Sequence, residues 1–226
     1  MSPTPQKKRK SVRANDPSTS VPPTKGRQPS PEKHEAIFDA AVEAFTELGF
    51  EQTSMDEIAR RASVSKRTVY NHFDSKDILF EEIVRRLKDR CLSASRFSYQ
   101  TGQPLEKQLF QFGRRVVDFH CHRESRRVGS VVLPRLLQKP ELGKSLFGDT
   151  RFFERELTHW IQSAQEEQLL RTADAGFAAR QFLGLLESFV VWPQLLRKAS
   201  SPSKANRDAL VQDTVAMFLK HYSMNA

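Results

Sequence analysis

Residues 65–73, with the sequence SKRTVYNHF, combine hydrogen-bonding side chains with two apolar residues at helical spacing. At about 100° per residue, Val69 and Phe73 share one face of a helix, and Arg67 and Asn71 point nearly opposite to it. Arginine can donate paired hydrogen bonds to a guanine edge, and asparagine can pair in the same way with adenine. Tyrosine, threonine, lysine and neutral histidine suit phosphate oxygens. The spacing therefore predicts a helix whose outward face could contact duplex DNA.

Short helices with recognisable caps are predicted around this segment. Ser30, a favoured N-cap followed by proline, begins a first helix, and Gly49 suits the left-handed cap at its end. Ser54 starts the S-x-x-E spacing of a capping box and predicts a second helix. Ser65 can cap a third helix, and a fourth is expected from about Asp77. The second and third helices, separated by a short break, have the layout of a helix-turn-helix.

An ordinary helical hairpin with a solvated polar face has the same layout, and the distribution of charge helps to separate the two interpretations. Residues 60–76 hold five cations and one anion, whereas residues 32–59 are strongly acidic. A solvated hairpin does not need such a polarised arrangement, so the charge favours a polyanionic partner. The whole chain agrees with this interpretation, with a net charge of +9 and a pI near 9.8.

Three regions are predicted along the chain. Residues 1–30 contain six prolines and no Leu, Ile, Phe, Tyr or Trp, which indicates a disordered basic tail. This tail is a solvated segment, an arm that contacts phosphates, or a nuclear address. Residues 31–77 form the helix-turn-helix unit, and residues 78–226 form a larger helical body without any alternating strand pattern. The predicted fold class is therefore all-α.

Three longer stretches of the sequence resemble one protein family. TSMDEIARRASVSKRTVYNHFDSKDILFEEIV, residues 53–84, resembles the N-terminal module of the TetR family of bacterial one-component regulators. The preceding AIFDAAVEAFTELGFEQTSM fits the first helix of that module and its link to the second. AGFAARQFLGLLESFVVWPQLL, residues 175–196, resembles the penultimate helix of one TetR subgroup, which forms part of a dimer interface in that family. The resemblance implies an all-helical homodimer that places one helix-turn-helix per subunit in successive major grooves of a near-palindromic operator.

The resemblance also implies roles for individual residues by position. Phosphate contacts are implied for Thr53, Tyr70, His72 and Lys76, and positions at or near the bases for Lys66, Arg67, Thr68 and Asn71. Ser54, the predicted N-cap of the second helix, completes the predicted DNA-binding set.

Two positions depart from the family pattern. Ser63 stands where glycine is usual, and a serine at positive φ costs about 1 kcal/mol. Arg67 stands where many members have glycine, so the base preference cannot be copied from relatives.

The helical body holds 12 of the 16 phenylalanines, and the resemblance implies that it contains a small-molecule pocket. A pocket for a hydrophobic or aromatic effector is predicted from Phe112, Val116, Phe119, Phe152, Phe153 and Trp160. Two apolar stripes near the C-terminus predict a four-helix dimer interface made of Leu183, Leu186, Val190, Trp192, Leu195, Val211, Val215 and Phe218. For both sets, the alternative is that the residues form the core of a single chain.

Other kinds of function find little support in the sequence. The chain has no Gly-rich phosphate loop, HExxH, GxSxG or paired CxxC motif, so we expect no enzymatic activity and no cofactor. His120, Cys121 and His122 diverge by about 100° each on a helix, so no metal site is expected. A redox role for Cys91 and Cys121 is a minor alternative. Two cysteines and the lack of a membrane-spanning apolar run predict a cytoplasmic protein without a membrane partner.

The sequence thus predicts a sequence-specific DNA-binding transcriptional regulator, most simply a repressor that a small hydrophobic effector releases from a palindromic operator. The alternative is a DNA-binding protein that is independent of ligand, or an architectural protein that binds DNA without sequence choice. Arg67 and Asn71 argue against an architectural role because both can read base edges.

Overall fold

A computed structural model of the protein describes residues 30–143, 151–193 and 200–224, together with Met1. The helices in chain order are α1 (Pro31–Leu48), α2 (Met55–Arg61), α3 (Lys66–His72), α4 (Lys76–Ser95), α5 (Leu105–Cys121), α6 (Arg123–Gln138), α7 (Pro140–Leu142), α8 (Phe152–Glu166), α9 (Ala175–Val190) and α10 (Lys204–Tyr222). Over the described residues the predicted all-α fold class is confirmed, with one isolated bridge between Leu170 and Ser223. None of these helices is long and apolar enough to cross a bilayer. The predicted tail lies outside the described residues except at its two ends.

The helices of the N-terminal unit, α1 to α4, begin where the capping signals indicate. In each of them a serine hydroxyl accepts a hydrogen bond from the backbone N–H three residues later, at Ser30, Ser54, Ser65 and Ser75. Gly49 closes α1 with a positive φ of 79°, but its ψ of 161° lies outside the left-handed helical region that was predicted. Lys76 begins α4, one residue before the predicted start.

The break between α2 and α3 depends on a serine in the left-handed conformation. Ser63 has a φ of 54°, and its N–H donates to the carbonyl oxygen of Arg60 at 3.2 Å. The N–H of Val64 donates to the carbonyl oxygen of Ala59 at 3.1 Å. These bonds satisfy the end of α2 and turn the chain into α3. The positive φ predicted at Ser63 is thus confirmed, at a cost of about 1 kcal/mol.

One hydrophobic core joins the N-terminal unit to part of the body. It contains buried residues of α1 to α4 and continues to Ile83 and Val84, past the boundary predicted at residue 77. Val128 and Val132 of α6 also belong to this core. The N-terminal unit therefore rests directly on α6, and α4 is shared between the unit and the body.

A second core lies among α5, α8, α9 and α10. Helices α5 and α10 pass close together at Gly113, where an added Cβ would lie 2.7 Å from Cγ1 of Val211. The indole of Trp160 is buried, and its N–H donates to Oε1 of Gln108 at 3.0 Å. The body is therefore a tightly packed bundle in which even the buried polar atoms of Trp160 and Gln108 are paired.

Most residues of the predicted effector pocket are packing residues. Buried within the second core are Phe112, Val116, Phe153 and Trp160. Phe152 is buried in the first core instead, and Phe119 is partly buried and lines a cavity described below. Apolar side chains at helical spacing fill a core as readily as they line a pocket, and five of the six residues predicted for the pocket lie in a core.

The predicted dimer interface requires a similar correction. Six of its residues are at most 6% exposed within the single chain, namely Leu183, Leu186, Val190, Val211, Val215 and Phe218. Side chains so deeply buried cannot contact a second subunit, so they form the core of the single chain. Trp192 is 56% exposed, and Leu195 lies outside the described residues.

Candidate nucleic-acid interface

The helix α3 is fixed to the N-terminal unit by its apolar face. Val69 is fully buried and Phe73 is 4% exposed, with its ring centroid 4.7 Å from that of His34 in α1. Arg67 and Asn71 are exposed on the opposite side of the helix. The orientation predicted from the helical spacing is therefore confirmed. The burial of Val69 and Phe73 decides which face of the helix points outwards.

Three side chains on the outward face of α3 have no internal partner. Arg67, Tyr70 and Asn71 make no hydrogen bond or ion pair with any residue that the structure describes. They lie at positions i, i+3 and i+4, so they form one continuous surface. A guanidinium, a phenol and an amide that face only water are available to an external partner. The surface matches the donor and acceptor groups on base edges.

The first turn of α3 is partly occupied by contacts within the protein. Nζ of Lys66 lies 2.8 Å from Oδ1 of Asp56 in α2, and both side chains are largely exposed. This hydrogen bond raises the pKa of Lys66. The hydroxyl of Thr68 lies 2.8 Å from that of Ser65, the N-cap of α3. Lys66 and Thr68 are therefore placed at the surface, but each must exchange an internal contact for one to DNA.

Thr53 does not present its side chain to this surface. It is 2% exposed, and its hydroxyl donates towards the carbonyl oxygens of Gly49 at 2.8 Å and Ala44 at 3.2 Å. The phosphate contact predicted for Thr53 cannot use this hydroxyl, because the group holds the link between α1 and α2. Ser54 is exposed, and its oxygen accepts from the N–H of Glu57 at 3.1 Å, which leaves its O–H as a free donor.

Lys76 lies between the link that follows α1 and the first turn of α4. Its Nζ donates to the carbonyl oxygens of Phe50 at 2.7 Å and Glu51 at 3.3 Å. The same nitrogen lies 4.4 Å from the centroid of the Phe50 ring. Lys76 thus stabilises this link, and the third N–H of its ammonium group stays available at the helix N-terminus.

His72 is partly buried beside α1. Its Nδ1 is buried and has no hydrogen-bond partner in the described ranges. Its ring centroid lies 5.8 Å from that of His34. Burial, followed by the charges of His34 and Lys33, lowers the pKa of His72. The ring is therefore neutral at pH 7, and a phosphate contact by His72 would be a neutral hydrogen bond.

Four of the five cations between residues 60 and 76 have partners within the protein. Arg60 and Arg61 both bind Glu57. Their hydrogen bonds lower the pKa of Glu57 to about 2, and the bond from Arg60 has the larger effect. The two lysines have the partners given above. In the described part of the chain, Arg67 is the cation of this group that keeps none. Carboxylates offset the charges of Arg60, Arg61 and Lys66, so Arg67 and Lys76 carry the positive charge that no carboxylate among the described residues compensates.

Contacts between α6 and the N-terminal unit were not predicted from the sequence. Arg127 binds the carboxylate of Asp39 in α1, and Arg135 binds that of Glu51 in the link after α1. Arg135 is 7% exposed, and its guanidinium lies 4.0 Å from the centroid of the Phe50 ring. The hydrogen bond from Arg135 lowers the pKa of Glu51. The partners are 88 and 84 residues apart, so no local pattern could indicate them.

Two family models match the chain over separate ranges. Residues 37–83 match the model of bacterial regulatory proteins of the tetR family. Residues 107–224 match the model of the C-terminal domain of AefR-like transcriptional repressors. The first range contains α2 and α3, and the second contains both helices that carry the apolar C-terminal stripes.

Solved structures and studied proteins agree with these matches. The crystal structure of a TetR family transcriptional regulator from Pseudomonas syringae is 35% identical, with a TM-score of 0.71 over 86% of this chain and 99% of that one. IcaR of Staphylococcus aureus, a negative regulator of the icaADBC biofilm operon, is 25% identical over 81% of this chain and 97% of its own length. The match to YhgD, an uncharacterized regulator of Bacillus subtilis, is 25% identical over 49% of this chain and 62% of YhgD.

Regulators of the TetR family bind DNA as dimers. The free face of α3 lies on the second helix of the helix-turn-helix, which is the one that enters the major groove in that motif. The chain therefore belongs to the TetR family and is a DNA-binding transcriptional regulator whose C-terminal domain is of the AefR-like repressor type.

Proposed function

We propose that the protein represses transcription by binding a near-palindromic operator as a homodimer, and that a small effector releases it. The observation that carries this proposal is the partner-free face of α3 opposite its buried anchor. The relation to AefR-like repressors and to the negative regulator IcaR supports repression. An architectural protein would not need a guanidinium and an amide held free on one rigid helix.

The surface divides into base-reading and positioning groups. Arg67 would donate two hydrogen bonds to a guanine, and Asn71 would pair with an adenine. Tyr70, Ser54 and Lys76 flank them with free donors that suit phosphate oxygens. Because Tyr70 is 43% exposed and borders Arg67, it can fix the depth at which α3 enters the groove.

The proposed dimer interface is the outer face of α9 and α10. Phe189 is 61% exposed, Leu185 is 38% exposed and Met217 is 53% exposed. Leu185, Phe189 and Trp192 follow at i, i+4 and i+7, so they form one apolar stripe. Gly184, where an added Cβ would contact nothing, lets a second helix approach closely. A stripe of large exposed apolar side chains on a single chain indicates an interaction surface.

Selection of bound fragments from random DNA tests this proposal. We expect an inverted repeat with half-sites spaced by about one helical turn or a multiple of it, since a dimer presents two copies of α3. In fluorescence anisotropy, the selected site should bind at least about 1000-fold more tightly than random DNA. Equal binding to both, at matched salt, would support the architectural alternative instead.

A further inference from the structure

A cavity of about 440 Å³ lies between α4, α5, α6 and the end of α9. Its walls are largely apolar and include Leu87, Cys91, Phe119, Leu133, Val190 and Val191. Burial raises the pKa of the Cys91 thiol to about 12, so this residue serves as an apolar wall and not as a reactive thiolate. The volume falls within the range of small-molecule sites. We call this space the α6 cavity.

Three polar residues that line the α6 cavity each have a buried atom without a hydrogen-bond partner in the described part of the chain. These atoms are Nε2 of His120, Oγ of Ser125 and Nε of Arg126. Buried polar atoms are nearly always paired, so three such atoms around one space need an explanation. An apolar wall with a few convergent polar groups is the usual composition of a ligand site.

Arg126 differs from the other arginines that have a buried unpaired nitrogen. Those arginines bind a partner through another nitrogen, namely Arg90, Arg114, Arg127, Arg135 and Arg207. No side-chain nitrogen of Arg126 has a hydrogen bond or an ion pair with a described residue. A part-buried guanidinium against an apolar wall is unfavourable unless an anion compensates it. The described part of the chain supplies no such anion, so solvent or a bound ligand must compensate this charge.

His120 also lines the cavity and presents a polar imidazole. Nε2 of His120 lies 3.8 Å from Oε1 of Glu187, beyond hydrogen-bond distance. Burial lowers the pKa of His120 to about 4, and burial also raises the pKa of Glu187. Because the imidazole is neutral at pH 7, Arg126 is the cation that an anionic ligand would meet in this space.

We propose that the α6 cavity binds an apolar molecule that carries one carboxylate, which Arg126 and the hydroxyl of Ser125 hold while Phe119, Leu87 and Leu133 contact its apolar body. Arginine is suited to this role because its planar group can donate two parallel hydrogen bonds to a carboxylate. The site itself stands on the cavity alone, whereas its use as the effector site rests on the proposed function.

Isothermal titration calorimetry on the full chain tests the charge preference. The probes are decanoate, 1-decanol and decyltrimethylammonium, which share one chain length and differ in the charge of the headgroup. Decanoate should bind at least about tenfold more tightly than 1-decanol, because a charge-assisted pair adds to the same apolar contacts. The cationic probe should show no measurable heat. Equal affinity for decanoate and 1-decanol would overturn the proposal.

Matched variants locate the site. Arg126→Gln should weaken decanoate binding about tenfold to a hundredfold and leave 1-decanol binding unchanged. Arg123→Gln is the control, because Arg123 is exposed on the same helix and does not line the cavity. Gly129→Leu is a second variant, since a Cβ at Gly129 meets nothing within 4 Å and the new side chain would fill the cavity. It should abolish binding of both probes, and wild-type affinity in either test variant would refute the site.

The operator assay separates this site from the proposed function. Decanoate should weaken binding of the wild-type protein to its selected DNA, and Arg126→Gln should respond about tenfold less at the same concentration. If decanoate binds in calorimetry and the operator affinity stays constant, the site is supported and its use as the effector site is refuted. If no DNA is selected at all, the calorimetric comparison still decides the ligand class.

Discussion

Replacing Phe189 by alanine tests the proposed dimer face directly. The side chain is 61% exposed in the single chain and lies in the middle of the apolar stripe on α9. Since a phenylalanine offers about 150–250 Å², roughly 90–150 Å² is left to bury. At about 25 cal/mol per Å², two copies in a symmetric dimer correspond to about 4.5–7.5 kcal/mol. Because association also has entropic costs, only part of this burial free energy stabilises the dimer. We therefore expect the substitution to cost about 2–4 kcal/mol of dimer stability, which weakens dimer affinity roughly 30- to 900-fold.

Sedimentation velocity over a dilution series measures this change, and circular dichroism checks that the variant is folded. Leu137→Ala is the matched control, because Leu137 is 74% exposed on α6 and lies outside the proposed face. Leu186→Ala should affect the fold of the single chain instead of the proposed dimer face. Leu186 is fully buried, so its loss should destabilise the fold by about 2–5 kcal/mol and lower the melting temperature. An unchanged dimer affinity in Phe189→Ala would show that the outer face of α9 is not the interface.

Three further changes test other parts of the structure. Arg67→Ala should cost about 1–3 kcal/mol on the selected operator and relax base preference, as measured by competition with random DNA. An equal loss on both DNAs would contradict a base-reading role. Ser63→Gly should raise the free energy of unfolding by about 0.5–1 kcal/mol in urea titrations, because glycine adopts a φ of 54° without strain. His120→Gln should flatten the pH dependence of stability between pH 6.5 and about 4. In that window His120 is protonated in the unfolded wild-type chain but stays neutral in the folded chain. The stability of the wild-type protein therefore falls as the pH is lowered. Parallel curves of urea midpoint against pH for the two proteins would count against this assignment.

The N-terminal unit could be predicted closely because its signals are local. A serine N-cap acts through the N–H three residues later, and the three serines predicted as caps, Ser30, Ser54 and Ser65, all do so. The outward direction of Arg67 followed from the spacing of Val69 and Phe73 alone, since a short helix with two anchors has one way to pack. The hydroxyl of Thr53 was misplaced because its partners in α1 become neighbours only when the link folds back.

The inward-facing side of α9 could not be predicted in the same way, because apolar residues lie on both its buried and its exposed faces. Leu186 is fully buried, whereas Leu185 next to it is 38% exposed. Helical spacing therefore predicts an apolar stripe on each of these two faces of α9. The packing of α5, α8 and α10 decides which stripe faces inwards. The pocket set failed for a related reason. Phe112 and Phe119 share a helix, but the packing of neighbouring helices encloses the first and leaves the second beside a cavity.

Neighbouring arginines on α6 link the cavity to the DNA-binding unit. Arg126 lines the α6 cavity, and Arg127 binds Asp39 of α1. Consecutive helical residues diverge by about 100°, so these two cations serve different surfaces of one helix. A ligand can change operator affinity only if it binds two positions of α6 unequally. A carboxylate bound by Arg126 would do this if the contact were better in one of those positions, and a movement of α6 would carry Arg127 and Arg135, which lie on the same helix. Their partners, Asp39 and Glu51, border the helices that position α3. On this proposal, Arg126 couples the binding of a carboxylate to the position of α6.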